Sequence, residues 1–357
     1  MNVKNTSKKL ISLICLFAGL ILFIESLIMD FSGSTNSFRG AMLVAGMLLI
    51  LAGMFTFPSL KHHRTMVNIV FLFPLLFTFA ITVIIPLILG IGYSFTDWNG
   101  IKYTEVVGLD NYIKMFKQPS FIWSILITFL FVIFNMILVN LVACLLALLC
   151  TTKIKGLGFF RASYFLPNLI GGIVLGYIWQ FIFSNVVTKF TASLFNQNYS
   201  ILSDTHTAFI AIVIVYVWQY AGYIMLIYIT GLNTVPRDVL EASAIDGANA
   251  TETLFHIKMP MIASTFTICT FLTLTSAFKQ FDVNLALTNG TGSVDGFLGA
   301  ENYLTNGTEM LALNIYSTAV NKNNYALAEA KAVLFFIILA CVSIIQVRIS
   351  NKREVEM

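Results

Sequence analysis

Eight runs of apolar residues, each about long enough to cross a bilayer, dominate this chain: roughly 10–29, 40–58, 67–94, 121–149, 162–184, 207–230, 262–278 and 325–347. A helix rising ~1.5 Å per residue needs about 20 such residues to span a hydrocarbon core of about 30 Å. Inside hydrocarbon the backbone must satisfy its own hydrogen bonds, so runs of this kind form helices. The charge content agrees. Only 11% of the 357 residues are Asp, Glu, Lys or Arg, against roughly a quarter in soluble domains. That leaves too little polar side chain to cover a water-facing surface, and it excludes a soluble enzyme, a nucleic-acid binder and a disordered chain. The expectation is an all-α integral membrane protein of about eight transmembrane helices. Cys15, Cys144, Cys150, Cys269 and Cys341 all lie in apolar runs, without metal-ligand spacing, and an odd number argues against a disulfide framework.

Lys4, Lys8 and Lys9 precede the first run as they would in a signal peptide. The run is longer than a usual signal core and FSGST is a weak cleavage site, so a retained helix is expected. Basic residues orient the set. With the N-terminus inside, Lys4, Lys8, Lys9, Lys61, Arg64, Lys153, Lys155, Arg161, Arg237, Lys258, Arg348, Lys352 and Arg353 face inward, 13 in all, and Arg39, Lys102, Lys114, Lys117, Lys189, Lys279, Lys322 and Lys331 face outward, 8 in all. Positive-inside bias then puts both termini in the cytoplasm. Pro74, Pro86 and Pro167 fall inside runs and predict static kinks rather than hinges. His62, His63, His206 and His256 fall in loops, and His62–His63 between Lys61 and Arg64 reads as basic flank rather than a metal pair.

Residues 231–261 form the longest inner connection, GLNTVPRDVLEASAIDGANATETLFHIKMPM. After Pro236 the stretch LEASAIDGANATETLFHI reads as helix, with Leu240, Ala244, Ala248 and Thr251 in one stripe and Pro260 ending it. A helix lying on an anionic leaflet carries Lys and Arg on its polar face. Here Glu241, Asp246 and Glu252 stand against Lys258 alone, so a protein partner is expected instead.

From Glu241 to Pro260 the pattern E-A-S-x3-G-x9-I-x-M-P resembles the EAA motif of permease subunits of binding-protein-dependent ABC importers. Glu241, Ala242, Gly247, Ile257 and Pro260 match at the family spacing, Ser243 replaces an Ala, and Met259 replaces a Leu. The flanks are similar to the carbohydrate branch of maltose and glycerol-phosphate type: VWQYAGYIMLIYITGLNTVPRDVLEASAIDGA, RASYFLPNLIGGIVLGYIWQFIF, YSFTDWNG, GLDNYIKMF and FKQFDVNLALTNG.

The resemblance implies a type I ABC importer transmembrane domain with a six-helix core over 67–350 and a short tail at 351–357. Residues 1–66 add two extra N-terminal helices of no assigned role. It implies that loop 231–261 docks into a cytoplasmic ATPase through Glu241, Ala242, Ser243, Asp246, Gly247, Ile257 and Pro260. It also implies the partners: a second homologous permease subunit, two ATPase subunits that bind ATP and Mg, an extracytoplasmic solute-binding protein, and a sugar or oligosaccharide. The chain itself has no G-x-x-x-x-G-K-[ST] run and no catalytic constellation, so it is expected to be neither an enzyme nor a cofactor binder.

A sugar path needs hydrogen-bonding groups for hydroxyls and aromatic faces for C–H surfaces. The sixth run offers Tyr216, Trp218, Gln219, Tyr220, Tyr223 and Tyr228, the fifth Tyr177, Trp179 and Gln180, and the fourth Asn135 and Asn140. Of these, Asn135, Gln180, Trp218, Gln219, Tyr220 and Tyr223 are the candidate path residues. The row Ser264, Thr267, Thr270, Thr273 and Ser276 drifts about 60° per step and is expected to bond back to its own helix. Glu25 reads as the one acidic residue well inside a run. The alternative function, an ion-coupled secondary transporter, would need titratable groups at the midplane. The runs offer only amides, hydroxyls and aromatics there.

Overall fold

The computed structural model describes residues 3–32, 38–57, 63–152, 156–190, 200–294 and 306–355, with side chains at all of these except 3–9, 30–31, 63–70 and 350–355. Lys4, Lys8, Lys9, Lys61, His62, His63, Arg64, Lys153, Lys155, Lys352 and Arg353, on which the expected charge asymmetry leans, lie outside the described residues or side chains. Among the described residues the chain is helical, with only isolated bridges at Thr96–Val106 and Gly292–Asn306.

The helices are α1 Val3–Phe31, α2 Arg39–Thr56, α3 His63–Phe79, α4 Ile85–Tyr93, α5 Asp110–Phe116, α6 Pro119–Cys150, α7 Leu157–Leu169, α8 Gly172–Phe181 and α9 Thr205–Asn233. They continue as α10 Arg237–Ile245, α11 Ala250–Glu252, α12 Met259–Met261, α13 Ala263–Phe278, α14 Asp282–Leu287, α15 Leu311–Tyr316 and α16 Tyr325–Val355. Wider π turns sit at Ala80–Ile84, Ile182–Val187, Thr253–Lys258 and Ser317–Asn321. Among the described residues seven helical stretches are long and apolar enough to cross a membrane, or eight if the bent pair Ala250–Met261 and Ala263–Phe278 is one span.

Two compact units emerge, Met1–Leu89 and Gly90–Met357. In the first, α1 and α2 form a hairpin. In the second, α9 is the centre. It is apolar all round and packs against α6, α7, α13 and α14, burying Ala211, Ile212, Val215, Tyr216, Ile224, Met225 and Tyr228. A polar link joins three of its helices: Tyr228 donates to Asn140 Oδ1 at 2.9 Å, and Asn140 Nδ2 donates to the Met136 carbonyl at 2.7 Å and to Thr273 at 3.3 Å. The hydroxyl row behaves as expected, Thr267, Thr270 and Thr273 each donating to the carbonyl four residues back.

Four expectations change. The fifth run is two helices, because the Gly171–Gly172 pair follows Pro167 and the helix stops at Leu169. Pro260 does not end the loop helix. It sits in the first turn of α12, where a missing N–H costs nothing, and the break comes at Ile262, with a 71° bend. Lys331, counted with the outer loops, lies inside the Tyr325–Ile349 span and is fully buried, donating to Asn314 Oδ1 and Thr318 Oγ1 at 2.8 Å each. Glu329, half-buried, lies in the same span, so Glu25 is not the one intramembrane acid.

Candidate functional site: a polar level at two helix breaks

Two interruptions of regular helix, after Leu169 and after Phe278, lie at one level of the second unit beside the unbroken α9. From the side of loop 231–261, Ile170 is 13 residues into the run starting at Leu157, Gln219 is 14 residues from Asn233, and Lys279 is 16 residues beyond Ala263. At ~1.5 Å per residue these depths are about 20–24 Å. Gln219 is also the midpoint of α9. Unwound backbone at this depth is tolerated only where protein or a wet cavity receives its polar groups.

The groups at this level are specific. Gln219, nearly buried, donates from Nε2 to the Ile170 carbonyl at 3.4 Å, a terminal acceptor of α7. Among the described residues, the first amide of α8 with a backbone partner is Leu175, bonded to Gly171, and none accepts from the N–H groups of 172–174 at the head of that helix. Asp282 opens α14 and rests on this head. A Cβ on Gly172 would lie 2.6 Å from Asp282 Cβ and 3.1 Å from its Oδ2, so glycine is what admits the carboxylate. An anion there is favoured by the helix dipole. Tyr220 stands near Asp282, and its ring stacks on Tyr216 at 4.3 Å between centroids. Gln280, buried beside the break, has no partner for Nε2 among the described residues.

The structure thus brings Gln219 and Tyr220 to the breaks, with Tyr223 half-buried one turn along the same helix. Asn135 is buried in α6, donating to the Phe131 carbonyl at 2.8 Å, and its Oδ1 has no partner among the described residues. Gln180 is half-buried on α8, and no hydrogen bond among the described residues ties it to the break. Trp218 points elsewhere: 44% exposed, it meets Trp179 edge-on at 5.5 Å and lines an apolar groove of about 500 Å³ with Leu138, Pro167 and Gly222. Adjacent helical positions differ by about 100°, so Trp218 and Gln219 face different surroundings. Sequence reasoning missed Asp282, Gln280 and the open α8 head. The Gly171–Gly172 pair inside an apolar run and the polar cluster Lys279, Gln280, Asp282 at the end of the seventh run were the available signals.

Loop 231–261 forms the second feature. α10 ends at Ile245, and Gly247 turns the chain with φ +82°, in the left-handed region that favours glycine. Asn249 then restarts helix through a capping box: its Oδ1 accepts from Glu252 N at 2.9 Å while Glu252 Oε2 accepts from Asn249 N at 2.8 Å. The helical stretch after Pro236 is therefore two segments that meet at Gly247, because glycine and the cap interrupt the stripe. Asp246, Gly247, Ala248, Glu252, His256 and Ile257 line a shallow concavity of about 530 Å³ at the turn. Glu241, Ala242 and Pro260 are exposed outside that hollow, and Ser243 is buried, its Oγ donating to the Leu240 carbonyl at 2.8 Å. Ile245, 86% exposed, and Phe255 leave apolar surface on this loop that nothing among the described residues covers.

Residues 64–355 match the family described as binding-protein-dependent transport system inner membrane component. The chain is similar to the probable starch degradation products transport system permease protein AmyD of Thermoanaerobacterium thermosulfurigenes, 43% identical over 288 residues, covering 80% of this chain and 94% of that one. It is also similar to the multiple sugar-binding transport system permease protein MsmF of Streptococcus mutans, 29% identical, covering 76% of this chain and 90% of the relative. A chain of a bacterial ABC transporter that imports the acidic polysaccharide alginate has the same fold, with a TM-score of 0.69 at 16% identity, covering 82% of this chain and 97% of that one.

Proposed function

We propose, from the premise that the chain belongs to the family of binding-protein-dependent transport system inner membrane components, that it is a sugar-conducting permease subunit of an ATP-driven importer. The observation that carries the reading is the polar level at the two breaks. Gln219, Tyr220, Asp282, Gln280 and the open N–H groups of α8 supply donors, acceptors and an aromatic face at mid-membrane depth. That is the chemistry a hydrated, uncharged polyol requires in place of its water. The sugar class is supported by the functions that the names of AmyD and MsmF state.

Transport energy enters through another chain. Loop 231–261 offers a turn, a hollow and exposed Ile245 and Phe255 to a cytoplasmic ATPase that binds ATP and Mg, and ATP-driven closure of two such ATPases moves the loop. Because α9 leads into the loop and α13 leads out, displacement of the loop acts directly on the two helices that carry Gln219 and end at the Lys279 break. A second homologous permease and an extracytoplasmic solute-binding protein complete the assembly, and both termini face the cytoplasm.

The test separates path from coupling. Gln219→Leu and Asp282→Asn are expected to lower uptake of the cognate sugar at least about tenfold, the loss of roughly 1.4 kcal/mol of interaction, while leaving co-purification with the ATPase at wild-type level. Wild-type uptake in both variants would show that the breaks only pack. Loss of ATPase binding in either would assign the defect to folding.

A further inference from the structure

The segment following α4 is built as a small platform at the end of the bundle opposite loop 231–261. Asn111 Nδ2 donates to the carbonyls of Ser94 and Thr96 at 2.9 and 2.8 Å, and the Ser94 and Tyr112 hydroxyls meet at 2.7 Å. These bonds fix α5 against the terminus of the Phe71–Tyr93 span. Trp98 stacks on Tyr93 at 4.5 Å and meets Tyr325, the first residue of the α16 span, at 5.7 Å. Two span ends and α5 therefore sit at one level, marked by the amphipathic rings that favour a water–hydrocarbon boundary.

The face α5 turns away from the protein is apolar. Leu109, Ile113 and Phe116 are 63%, 53% and 52% exposed, and at 100° per residue they fall within about 60° of one another. Asn111 and Met115, on the opposite side, are buried. Lys117 and the Lys114–Asp110 pair, 2.5 Å apart, occupy the flank between. In the adjoining loop Ile101 and Val106 are 93% and 74% exposed. Such a helix, tied to a span end, with one face on protein, one face apolar and a charged flank, matches an interfacial element.

We infer that α5 and the tip of loop 94–108 form a membrane-interface anchor whose apolar face lies in the headgroup–acyl boundary of phospholipid. The occupant is lipid because the face sits at the level marked by the boundary-seeking rings of Tyr93, Trp98 and Tyr325. The attraction is apolar rather than ionic: across 97–117, Asp97, Glu105 and Asp110 balance Lys102, Lys114 and Lys117, for a net charge of zero. The lysines snorkel toward water while their stems cover the flank. The anchor holds the depth of the Phe71–Tyr93 span end.

The test uses the unmodified full chain, assembled with its transport partners in vesicles of phosphatidylcholine that carries a photoactivatable diazirine near the glycerol end. After illumination, peptide mapping by mass spectrometry is expected to place lipid adducts on Leu109, Ile113 and Phe116 and not on Asn111 or Met115. The yield is expected to stay unchanged when part of the phosphatidylcholine is replaced by phosphatidylglycerol. Hydroxyl-radical oxidation from the aqueous side, in the same vesicles, is expected to miss Ile113 and Phe116. Oxidation of these residues without adducts would put the face in water. Absence of both would put a protein on it, and adducts that appear only with phosphatidylglycerol would make the attraction ionic. Each of these three results overturns the inference.

Discussion

The N-terminal hairpin and the central bundle solve the same problem in opposite ways. α1 and α2 meet through small residues seven apart, Ser12, Gly19 and Ser26 on one helix and Gly46 and Gly53 on the other. Seven residues make nearly two turns, so each set lies in one stripe. A Cβ on Gly19 would lie 2.7 Å from Ile50 N, and one on Gly46 would lie 2.8 Å from Phe23 N, so the backbones touch. Ser12 donates to the Gly53 carbonyl at 2.5 Å and Ser26 to the Arg39 carbonyl at 2.9 Å. Neither helix is interrupted. The bundle instead breaks its fifth and seventh spans and leaves amides beside the breaks.

The difference separates structural need from functional need. Lipid tails are as apolar as leucine, so helices associate in hydrocarbon by close packing, and small residues suffice. Unpaired polar groups at that depth cost several kcal/mol each. Holding a membrane hairpin together does not require them. Their concentration where two interrupted helices meet α9 fits a requirement set by a polar cargo.

Breaking each packing style should have unequal consequences. Gly222 is pressed against the Tyr164 backbone so closely that any Cβ would run into its carbonyl oxygen, with Phe165 N at 3.0 Å. Gly222→Leu is expected to have the largest effect and remove assembled transporter from the membrane, because overpacking a core typically costs about 1–3 kcal/mol and at this position the obstacle is backbone. Gly46→Leu should part α1 from α2, read as faster amide exchange in both helices, yet leave uptake near normal, since the family match starts at residue 64. Equal loss of uptake in both variants would erase the distinction between the two regions.

Loop 231–261 sharpens the contrast, since its key glycine is chosen for backbone shape rather than closeness. A Cβ on Gly247 meets nothing within 4 Å, while its φ of +82° strains other residues. The left-handed region costs most residues roughly 1–2 kcal/mol and asparagine less. Gly247→Val should therefore weaken co-purification of the ATPase by about 5- to 30-fold, Gly247→Asn less, and Gly247→Asp more than its strain alone because it adds a charge beside Asp246. If Gly247→Asn is as damaging as Gly247→Val, a clash with the partner, not backbone strain, governs the site.

How much of this was legible from the sequence follows from what hydrocarbon enforces. Span number and position could be read because thickness dictates length, and the loop because its spacing from Glu241 to Pro260 resembles a family motif. The breaks could not, because Gly171 and Gly172 sit within a run whose mean character stays apolar, and hydropathy does not report backbone hydrogen bonding. Tyr220 was found by its type. Asp282 was missed, because its neighbours Lys279 and Gln280 made it look like the start of an outer loop. The Ser12, Gly19, Ser26 ladder was visible but has no chemical signature.

The smallest expected effect lies where water competes for every bond. Asp97 Oδ1 accepts from the backbone N–H groups of Glu105 at 2.9 Å and Thr104 at 2.7 Å, and Oδ2 accepts from the Thr104 hydroxyl at 2.7 Å, closing loop 97–105. These bonds, the one from Glu105 first, favour the charged carboxylate and hold its pKa down at about 2, below the ordinary 3.8. A depressed pKa means the stabilisation is fully present above 3.8 and is lost as pH falls through about 2. Amide exchange at Thr104 and Glu105 should thus remain slow at pH 4 and accelerate only near pH 2, and Asp97→Asn should speed it at neutral pH with uptake unchanged. The side chain is fully exposed, so the bonds compete with solvent and their loss loosens one turn without reaching the bundle. Protection lost already near the ordinary carboxylate pKa would mean that the three bonds do not persist in solution. A fall in uptake with Asp97→Asn would mean that this water-exposed loop, like the helix breaks, carries part of the transport function.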